Sequence, residues 1–174
     1  MRALQFWKAV TMDHSDFLDR VLAALATADI DYCVIGGAAV NAYAEPVVTL
    51  DLDIAVAMTD VDRAEELLSR EFKVRRFAHS VNVSAAGSDL IVQIQTDPRY
   101  ASFVERARAA EVLGLKLPVA AVEDVLHGKI WAAQDSTRRQ SKQLKDLSDI
   151  ARLIETYPEL RERVPTEILD RMRQ

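Results

Sequence analysis

The sequence has very little cysteine: Cys33 is the only one among 174 residues. No disulfide can therefore form within the chain, which suits the reducing conditions of the cytosol. Cys33 lies in an apolar run, where a lone cysteine is usually a small buried residue rather than a nucleophile. The cysteine content thus excludes a disulfide-stapled scaffold and argues against cysteine catalysis.

Long apolar runs are also missing. No stretch of the sequence approaches the ~20 consecutive apolar residues that a membrane-spanning helix needs. Residues 1–12 lack the apolar segment that is typical of a secretory signal peptide. From these absences we expect a cytoplasmic protein with no membrane partner.

Positive charge is in deficit as well. The chain carries 22 Lys and Arg against 27 Asp and Glu, for a formal net charge of −5. No global positive field attracts nucleic acid, so an RNA partner has no support from the net charge. Apolar residues make up 49% and charged residues 28% of the chain, as in ordinary globular proteins. The length allows one full core, or one core with a small helical appendage.

Apolar periodicity predicts alternating helices and strands, followed by a helical last third. The predicted helices are 14–28, 38–44, 60–71, a weak helix at 100–110, and further helices from residue 122 onward. The predicted strands are 32–35, 47–56, 73–77 and a hairpin of 81–84 with 90–95. Residues 115–119 are either a last strand or an extended link. This order predicts an α/β (α+β) core.

The strongest local signal is the segment Thr49-Leu50-Asp51-Leu52-Asp53. Alternation within the predicted strand puts Thr49, Asp51 and Asp53 on one face and the apolar residues on the other. Two carboxylates in this arrangement are about 6 to 7 Å apart and repel each other unless a cation neutralises them. Mg²⁺ prefers one or two carboxylates together with phosphate oxygens and water. The alternative, for this motif alone, is an edge strand whose polar face lies in water.

The second signal is a pair of glycines, Gly36 and Gly37, between a predicted strand and a predicted helix. Glycines let the backbone approach a ligand closely, and amides at a helix N-terminus bind anions. On its own the pair is weak, because two glycines before a helix are often only a tight turn.

Together, the two motifs resemble the nucleotidyltransferase superfamily, the small domain shared by polymerase-β-like enzymes. Its members have Gly-Gly or Gly-Ser at a helix start, Asp-x-Asp on the following strand, and a third carboxylate on a later strand. The resemblance covers about residues 15–97. It implies a small mixed β-sheet flanked by helices, with a core at 1–115 and a helical region at 116–174 packed on it.

The resemblance also implies roles for the motif residues. An NTP would bind at Gly36, Gly37 and Thr49, and its metal, Mg²⁺ or Mn²⁺, would bind to Asp51 and Asp53. An acceptor hydroxyl would then receive a nucleoside monophosphate. The acceptor could be a protein side chain, an RNA 3′ end or a small molecule.

The last third extends the resemblance to abortive-infection toxin-type nucleotidyltransferases. In these proteins a helix with a lysine precedes a helix with Lys-Asp-x-x-Asp, which is similar to Lys129 followed by Lys145-Asp-Leu-Ser-Asp. The likeness implies that Lys129 or Lys145 faces the nucleotide. It also implies a toxin–antitoxin setting, with an antitoxin-like protein as partner.

The intervening basic residues have a simpler interpretation. Arg138, Arg139 and Lys142 are interpreted as part of a solvated helix surface with charge pairs at i,i+3 and i,i+4 spacing.

Two positions depart from the family pattern. Relatives often have an arginine where this chain has Val47. Alignment of the predicted strand 90–95 puts Gln93 where the third carboxylate usually falls, with Asp89 as the nearest upstream carboxylate. An amide oxygen can still bind Mg²⁺, but an amide cannot accept a proton as a general base. Gln93 is therefore a candidate catalytic-site residue that can bind the metal but cannot act as a general base.

Three functions remain open on the sequence alone. The first is an active, metal-dependent nucleotidyltransferase. The second is a catalytically degenerate binding or regulatory module on the same fold, which Val47 and Gln93 favour. The third is a structural domain or homodimer with no ligand site.

Overall fold

The computed structural model describes residues 16–112 and 114–173, which fold around one seven-stranded sheet. The strands are β1 Tyr32–Ile35, β2 Asp51–Val56, β3 Lys73–Arg76, β4 Ser80–Ser84, β5 Ile91–Gln95, β6 Arg108–Val112 and β7 Leu115–Val119. Their order in the sheet is β3-β4-β5-β2-β1-β7-β6. The β2–β5 and β1–β7 pairs are parallel and the other neighbouring pairs are antiparallel. The mixed sheet confirms the predicted fold class.

Helices flank the sheet in two groups. They are α1 Phe17–Thr27, α2 Gly36–Tyr43, α3 Val61–Ser69, α4 Phe103–Arg106, α5 Val122–Gln134, α6 Gln140–Thr156 and α7 Thr166–Arg171. Short 3₁₀ turns occur at Met58–Asp60, Pro98–Tyr100 and Pro158–Arg163. Helices α1 and α3 pack on each other, whereas α2, α5 and α6 form a second packed group. Within the described ranges, no helix is long and apolar enough to cross a membrane.

Strand β2 shows the predicted alternation but begins four residues later than predicted. Its apolar residues Leu52 and Ile54 are buried, and Asp51 and Asp53 face the other side with partial exposure. The backbone just before β2 is hydrogen-bonded to a helix instead of to a strand. Both the amide and the carbonyl of Val47 are hydrogen-bonded to the Asn41 side chain, at 3.0 and 2.7 Å. Val47 is therefore held to α2 rather than to a neighbouring strand.

The predictions for the other elements were right except in one region. Helix α1 spans 17–27, and residues 14 and 15 of the predicted helix lie outside the described residues. The hairpin of β4 with β5 forms as predicted. The prediction of a helix at 100–110 was wrong: the segment has a 3₁₀ turn, the single turn α4, and then β6. Pairing with β7 across a turn at Gly114 makes residues 108–112 a strand.

The last third of the chain begins with a strand of the sheet, β7. Strand β7 resolves the alternative left open for 115–119, and Val119 lies beside Val34 of β1. The chain then continues into α5 and α6, which pack on each other and on α2. The division into a core at 1–115 and a helical region at 116–174 stays a prediction.

Candidate functional site

A cavity of about 260 Å³ lies where β1, β2 and β5 meet α5 and α6. Its lining combines the two sequence motifs with polar residues of β5 and basic residues of the helical region. These residues include Gly36, Gly37, Thr49, Asp51, Asp53, Gln93, Gln95, Lys129, Arg138, Lys142 and Lys145. Every residue that the sequence nominated for the site therefore borders one cavity.

Gly36 and Asp53 meet at the start of α2. Strands β1 and β2 are antiparallel with Ile35 opposite Asp53, so the first residue of α2 lies against the Asp53 side chain. Gly36 has φ +64°, and a Cβ atom there would lie 2.3 Å from Asp53 Oδ2. Only glycine satisfies both the backbone conformation and the space. This contact places the second carboxylate of the motif at the N-terminus of α2, in the shared cleft that the spacing predicts.

Gly37 lies under a lysine and a threonine. A Cβ atom on Gly37 would be 3.7 Å from Lys145 Nζ and 3.9 Å from Thr49 Oγ1. The Thr49 hydroxyl donates to the Asp51 carbonyl at 3.2 Å, which fixes the turn into β2. The first amides of a helix have no intrahelical acceptor and attract anions. With the Lys145 ammonium beside them, they form a cradle suited to a phosphate.

The two motif carboxylates repel each other in the cleft. Removal from water raises the pKa of Asp53, while Lys129 acts in the opposite direction and the nearby charge of Asp51 raises it further. Lys142 Nζ lies 3.9 Å from Asp51 Oδ2 and partly offsets that charge. Among residues 16–112 and 114–173, no group of three or more His, Cys, Asp or Glu side chains is arranged to hold a metal ion. The cleft thus offers two carboxylates to a cation.

The raised pKa of Asp53 predicts how stability depends on pH. The folded state holds this proton more tightly than the unfolded chain, whose carboxyl has an ordinary pKa of 3.8. The contribution to stability is therefore complete below about pH 4 and is lost as the pH rises through the raised pKa. Without divalent metal, we expect Asp53→Asn to exceed the wild type in Tm by a margin that grows toward neutral pH.

Each kcal/mol of this margin corresponds to about 2–4 °C for a chain of this length. Asp89→Asn is the control, because Asp89 is exposed and lies outside the cavity lining. The difference in Tm between Asp89→Asn and the wild type should not grow with pH. A margin for Asp53→Asn that stays constant or shrinks toward neutral pH would contradict the prediction.

Gln93 stands beside Asp53. The parallel register of β2 and β5 pairs these two residues directly, and the antiparallel register of β5 and β4 places Asn82 on the far side of Gln93. Neighbouring strands are about 4.8 Å apart, so the Gln93 amide is within reach of a ligand of Asp53. Asp89 precedes β5 and does not line the cavity. The position next to Asp53 therefore holds an amide.

Lys129 is paired with carboxylates of α6. Its Nζ lies 3.0 Å from Asp146 Oδ1 and 2.7 Å from Asp149 Oδ2, and all three side chains are buried. Burial acts to lower the pKa of Lys129, but Asp149 and Asp146 outweigh it and the pKa is raised. Lys129 therefore joins α5 to α6 at the back of the cavity, whereas Lys145 faces Gly37.

The interpretation of Arg138 and Lys142 as a solvated helix surface was wrong. Arg138 lies in the turn between α5 and α6, where its Nε is 2.6 Å from Asp146 Oδ2. Both residues line the cavity, with Lys142 near Asp51. Arg139 is exposed, as that interpretation requires. The signal that sequence reasoning missed is the number of basic residues, four from Arg138 to Lys145, around the start of α6.

A polar chain that sequence reasoning also missed holds the loop before β2. Arg152 of α6 donates to Asp149 Oδ1 and to Asn41 Oδ1, each at 2.8 Å. Asn41 in turn binds the backbone of Val47. The chain links α6 and α2 to the loop that carries Thr49. The i,i+3 spacing of Asp149 and Arg152 is the sequence signal that could have suggested it.

Cys33 and Trp131 both pack inside the structure. Cys33 is fully buried, and burial raises the pKa of its thiol to about 12. Trp131 packs in an aromatic cluster with Tyr100, Phe103 and His127. The prediction of a buried cysteine is confirmed.

Comparison with known proteins identifies the fold of this chain through solved structures rather than through sequences. No protein-family model matches the sequence, and neither does any curated protein sequence. Among solved structures, ANT(2″)-Ia in complex with adenylyl-2″-tobramycin has a TM-score of 0.61 at 14% identity, over 89% of this chain and 96% of that one.

Two other solved structures are similar. The lincosamide antibiotic adenylyltransferase LnuA, lincomycin-bound, has a TM-score of 0.52 at 11% identity, over 80% and 97% of the two chains. TM1012 of Thermotoga maritima, which has been assigned as a nucleotidyltransferase, has a TM-score of 0.55 at 18% identity, over 76% and 91%. The chain therefore has the fold of the nucleotidyltransferases.

Proposed function

We propose that this protein is a nucleotidyltransferase that uses Mg²⁺ or Mn²⁺ to transfer a nucleoside monophosphate from an NTP to a hydroxyl acceptor. One observation carries the proposal: the Asp53 carboxylate lies against Gly36 at the N-terminus of α2, in a cleft that Lys145 also borders. A carboxylate beside an anion cradle has no evident packing role. It suits a metal ion that is bound together with a phosphate.

The triphosphate would bind along the start of α2. The amides after Gly36 would donate to phosphate oxygens, with Thr49 and Lys145 beside them. Lys142 adds positive charge to the lining of the cleft. These contacts hold the β- and γ-phosphates and orient the leaving group.

Asp51 and Asp53 fit a divalent cation. Both carboxylates face the same cavity, and burial, with a smaller contribution from the charge of Asp51, raises the pKa of Asp53, so a bound cation would favour its ionised form. Two carboxylates with phosphate oxygens and water form a set that Mg²⁺ accepts. When bound, such an ion neutralises charge that develops on the transferring phosphoryl group.

In the reaction, the acceptor oxygen would form a bond to the α-phosphorus while the bond from that phosphorus to the bridging oxygen breaks. The electron pair leaves with pyrophosphate, toward Lys145 and the amides of α2. Gln93 cannot take the acceptor proton, so the proton passes to water. This arrangement supports slow transfer.

The similar structures support this reaction class. ANT(2″)-Ia is seen with an adenylylated tobramycin and LnuA with lincomycin, so both bind small molecules as well as having this fold. The likeness of the last third to abortive-infection toxins supports a different setting, a toxin–antitoxin pair with a protein partner. A cytoplasmic location would suit either one.

The second candidate is a nucleotide-binding module without turnover. The Gln93 amide beside Asp53 favours it, because the site then lacks a third carboxylate and a general base. A domain without any ligand site is the remaining alternative. It predicts no change in Tm with Mg²⁺ and any NTP.

The test combines binding and turnover. We expect an NTP with Mg²⁺ to raise Tm by about 5–10 °C at ~100-fold above Kd, and pyrophosphate to be released slowly when hydroxyl compounds are present as acceptors of the nucleoside monophosphate. The variant that combines Asp51→Asn with Asp53→Asn should lose both effects while its metal-free fold persists or gains stability, because two repelling carboxylates are removed.

The outcomes separate the candidates. A shift in Tm without pyrophosphate release supports the binding module. No shift with any NTP rejects a nucleotide site altogether. An unchanged NTP affinity in the double variant at saturating Mg²⁺ would place the site elsewhere.

A further inference from the structure

A second cavity of about 370 Å³ opens beside the first. Its walls include His79, Asp97 and Asp135, with Trp131 at one side. Four residues line both cavities: Gln95, Tyr100, Ala132 and Arg138. The two cavities therefore adjoin along shared residues, and together they are called the channel.

The ends of this channel differ in chemistry. Gly37 and Lys145 line only the first cavity, at the end with the phosphate cradle. Asp53 and Gln93 are paired side by side on β2 and β5. Gln95, two residues further along β5, already borders the second cavity. The channel thus runs from the cradle, past the carboxylates, to the second cavity.

The direction of the channel matches an in-line displacement. In such a reaction the attacking oxygen and the leaving oxygen lie on opposite sides of the phosphorus. With pyrophosphate held at Gly37 and Lys145, the acceptor must approach the α-phosphorus from the opposite side. That side is the one where Gln95 opens onto the second cavity.

On this basis, and resting on the proposed function, we propose that the second cavity is the acceptor subsite and that the acceptor is a small hydroxyl-bearing molecule without net negative charge. The volume sets the size class. At about 30 Å³ per water, the cavity has the capacity of roughly a dozen waters, at the small end of small-molecule sites. A sugar-sized molecule fits there.

The charges in the cavity set the chemical class. Arg99 is bound to the Asp97 carboxylate through Nε and Nη2, at 3.0 and 2.7 Å, and its guanidinium stacks 4.6 Å from the centre of the Trp131 ring. Arg138 is paired with Asp146. Both arginines of this cavity are therefore already neutralised and are poorly available to a phosphate or carboxylate of the acceptor.

Asp135 adds a carboxylate at the exposed edge of the cavity. Its Oδ1 accepts hydrogen bonds from the Thr137 amide and hydroxyl, at 2.9 and 2.7 Å. Across residues 16–112 and 114–173 it forms no ion pair with a lysine or arginine. A polyanionic acceptor would meet this carboxylate and two arginines that are already paired, whereas a neutral or cationic hydroxyl compound would not be repelled.

Labelling identifies the acceptor class. The wild-type protein is incubated with Mg²⁺, α-phosphate-labelled NTPs and three separated fractions of a host-cell extract: small molecules, RNA and protein. We expect the label in the small-molecule fraction, and mass spectrometry of the product should show an acceptor without phosphate or carboxylate excess. Label in RNA or protein, a net anionic acceptor, or no label in any fraction overturns the inference.

Tryptophan variants that fill the second cavity test whether the acceptor binds there. His79→Trp and Gln134→Trp add bulk from two residues that line only the second cavity. We expect each to lower transfer by about tenfold or more while the shift in Tm with NTP and Mg²⁺ stays at the wild-type value. Phe77→Trp is the matched control, because Phe77 is exposed and lines neither cavity.

The readouts separate the inference from the proposed function. A wild-type protein that shows no shift in Tm with NTP and Mg²⁺ fails the proposed function itself. A protein that binds and transfers, but whose transfer both tryptophan plugs leave unchanged, refutes only the acceptor subsite. An equal loss in the Phe77→Trp control would refute it as well.

Discussion

Gly36→Ala is expected to remove Mg²⁺-dependent nucleotide binding and to destabilise the protein by about 2–4 kcal/mol. Two effects add. The alanine must adopt a positive φ, and its Cβ would lie 2.3 Å from Asp53 Oδ2 and 3.1 Å from Asp53 Cβ. Because the contact reaches the root of the Asp53 side chain, a rotamer change alone does not relieve it. The second motif carboxylate must move away from the start of α2.

Two other glycines provide matched controls. Gly87 also has a positive φ, at +81°, but a Cβ there would meet nothing within 4 Å. Gly87→Ala should therefore cost only the backbone strain, about 1 kcal/mol, and leave binding unchanged. At Gly37 a Cβ would make ordinary contacts, so Gly37→Ala should fold normally but intrude on the phosphate cradle.

The measurements are urea unfolding and the shift in Tm with NTP and Mg²⁺ for the three variants. The expected order of stability is Gly37→Ala above Gly87→Ala above Gly36→Ala. Full nucleotide binding by Gly36→Ala, with wild-type stability, would show that Asp53 does not depend on its position at α2.

The core of the site could be predicted because its signals are local. Leu52 and Ile54 alternate with Asp51 and Asp53, and burial of the apolar pair forces the carboxylates to the other face. The same rule places Gln93. Its neighbours in β5 are buried on the apolar side, so the amide faces the cleft. Local alternation therefore fixed which side chains face the cleft.

The boundaries and the second wall of the cleft depend on distant residues. Strand β2 starts late because Asn41 binds the backbone of Val47, and no pattern near residue 47 encodes that contact. Strand β6 forms because β7 is there to pair with it. Arg138 and Lys142 face the cleft because the turn after α5 folds α6 back over α2. Periodicity within one segment cannot report these contacts.

Gln93 decides how much activity the site has. As an amide beside Asp53, it can offer an oxygen to a metal but neither a charge nor a base. Gln93→Asp restores both and shortens the side chain by one methylene. We expect the variant to bind Mg²⁺ more tightly and to raise nucleotidyl transfer above the wild-type rate by tenfold or more, since a positioned general base contributes ~10²–10⁴-fold.

Gln95→Asp is the matched control for this change. Gln95 lies on the same face of β5 and lines the cavity, but its Oε1 accepts from the amides of Thr96 and Asp97, and its neighbour on β2 is Ala55. A carboxylate there adds the same charge to the cleft without standing next to Asp53. A comparable gain in Gln95→Asp would mean that the added charge alone, rather than the position beside Asp53, raises the rate.

The competing assignment gives the third ligand to Asp89. It predicts that Asp89→Asn cripples Mg²⁺ binding and transfer and that Gln93→Asp does little or crowds the site with like charge. The structure predicts the reverse, because Asp89 lies outside the cavity whereas Gln93 is paired with Asp53. Mg²⁺ titration and pyrophosphate release for both single variants distinguish the two. Loss of function in both would support the Asp89 assignment, because Asp89→Asn removes the ligand and Gln93→Asp adds like charge to a complete site.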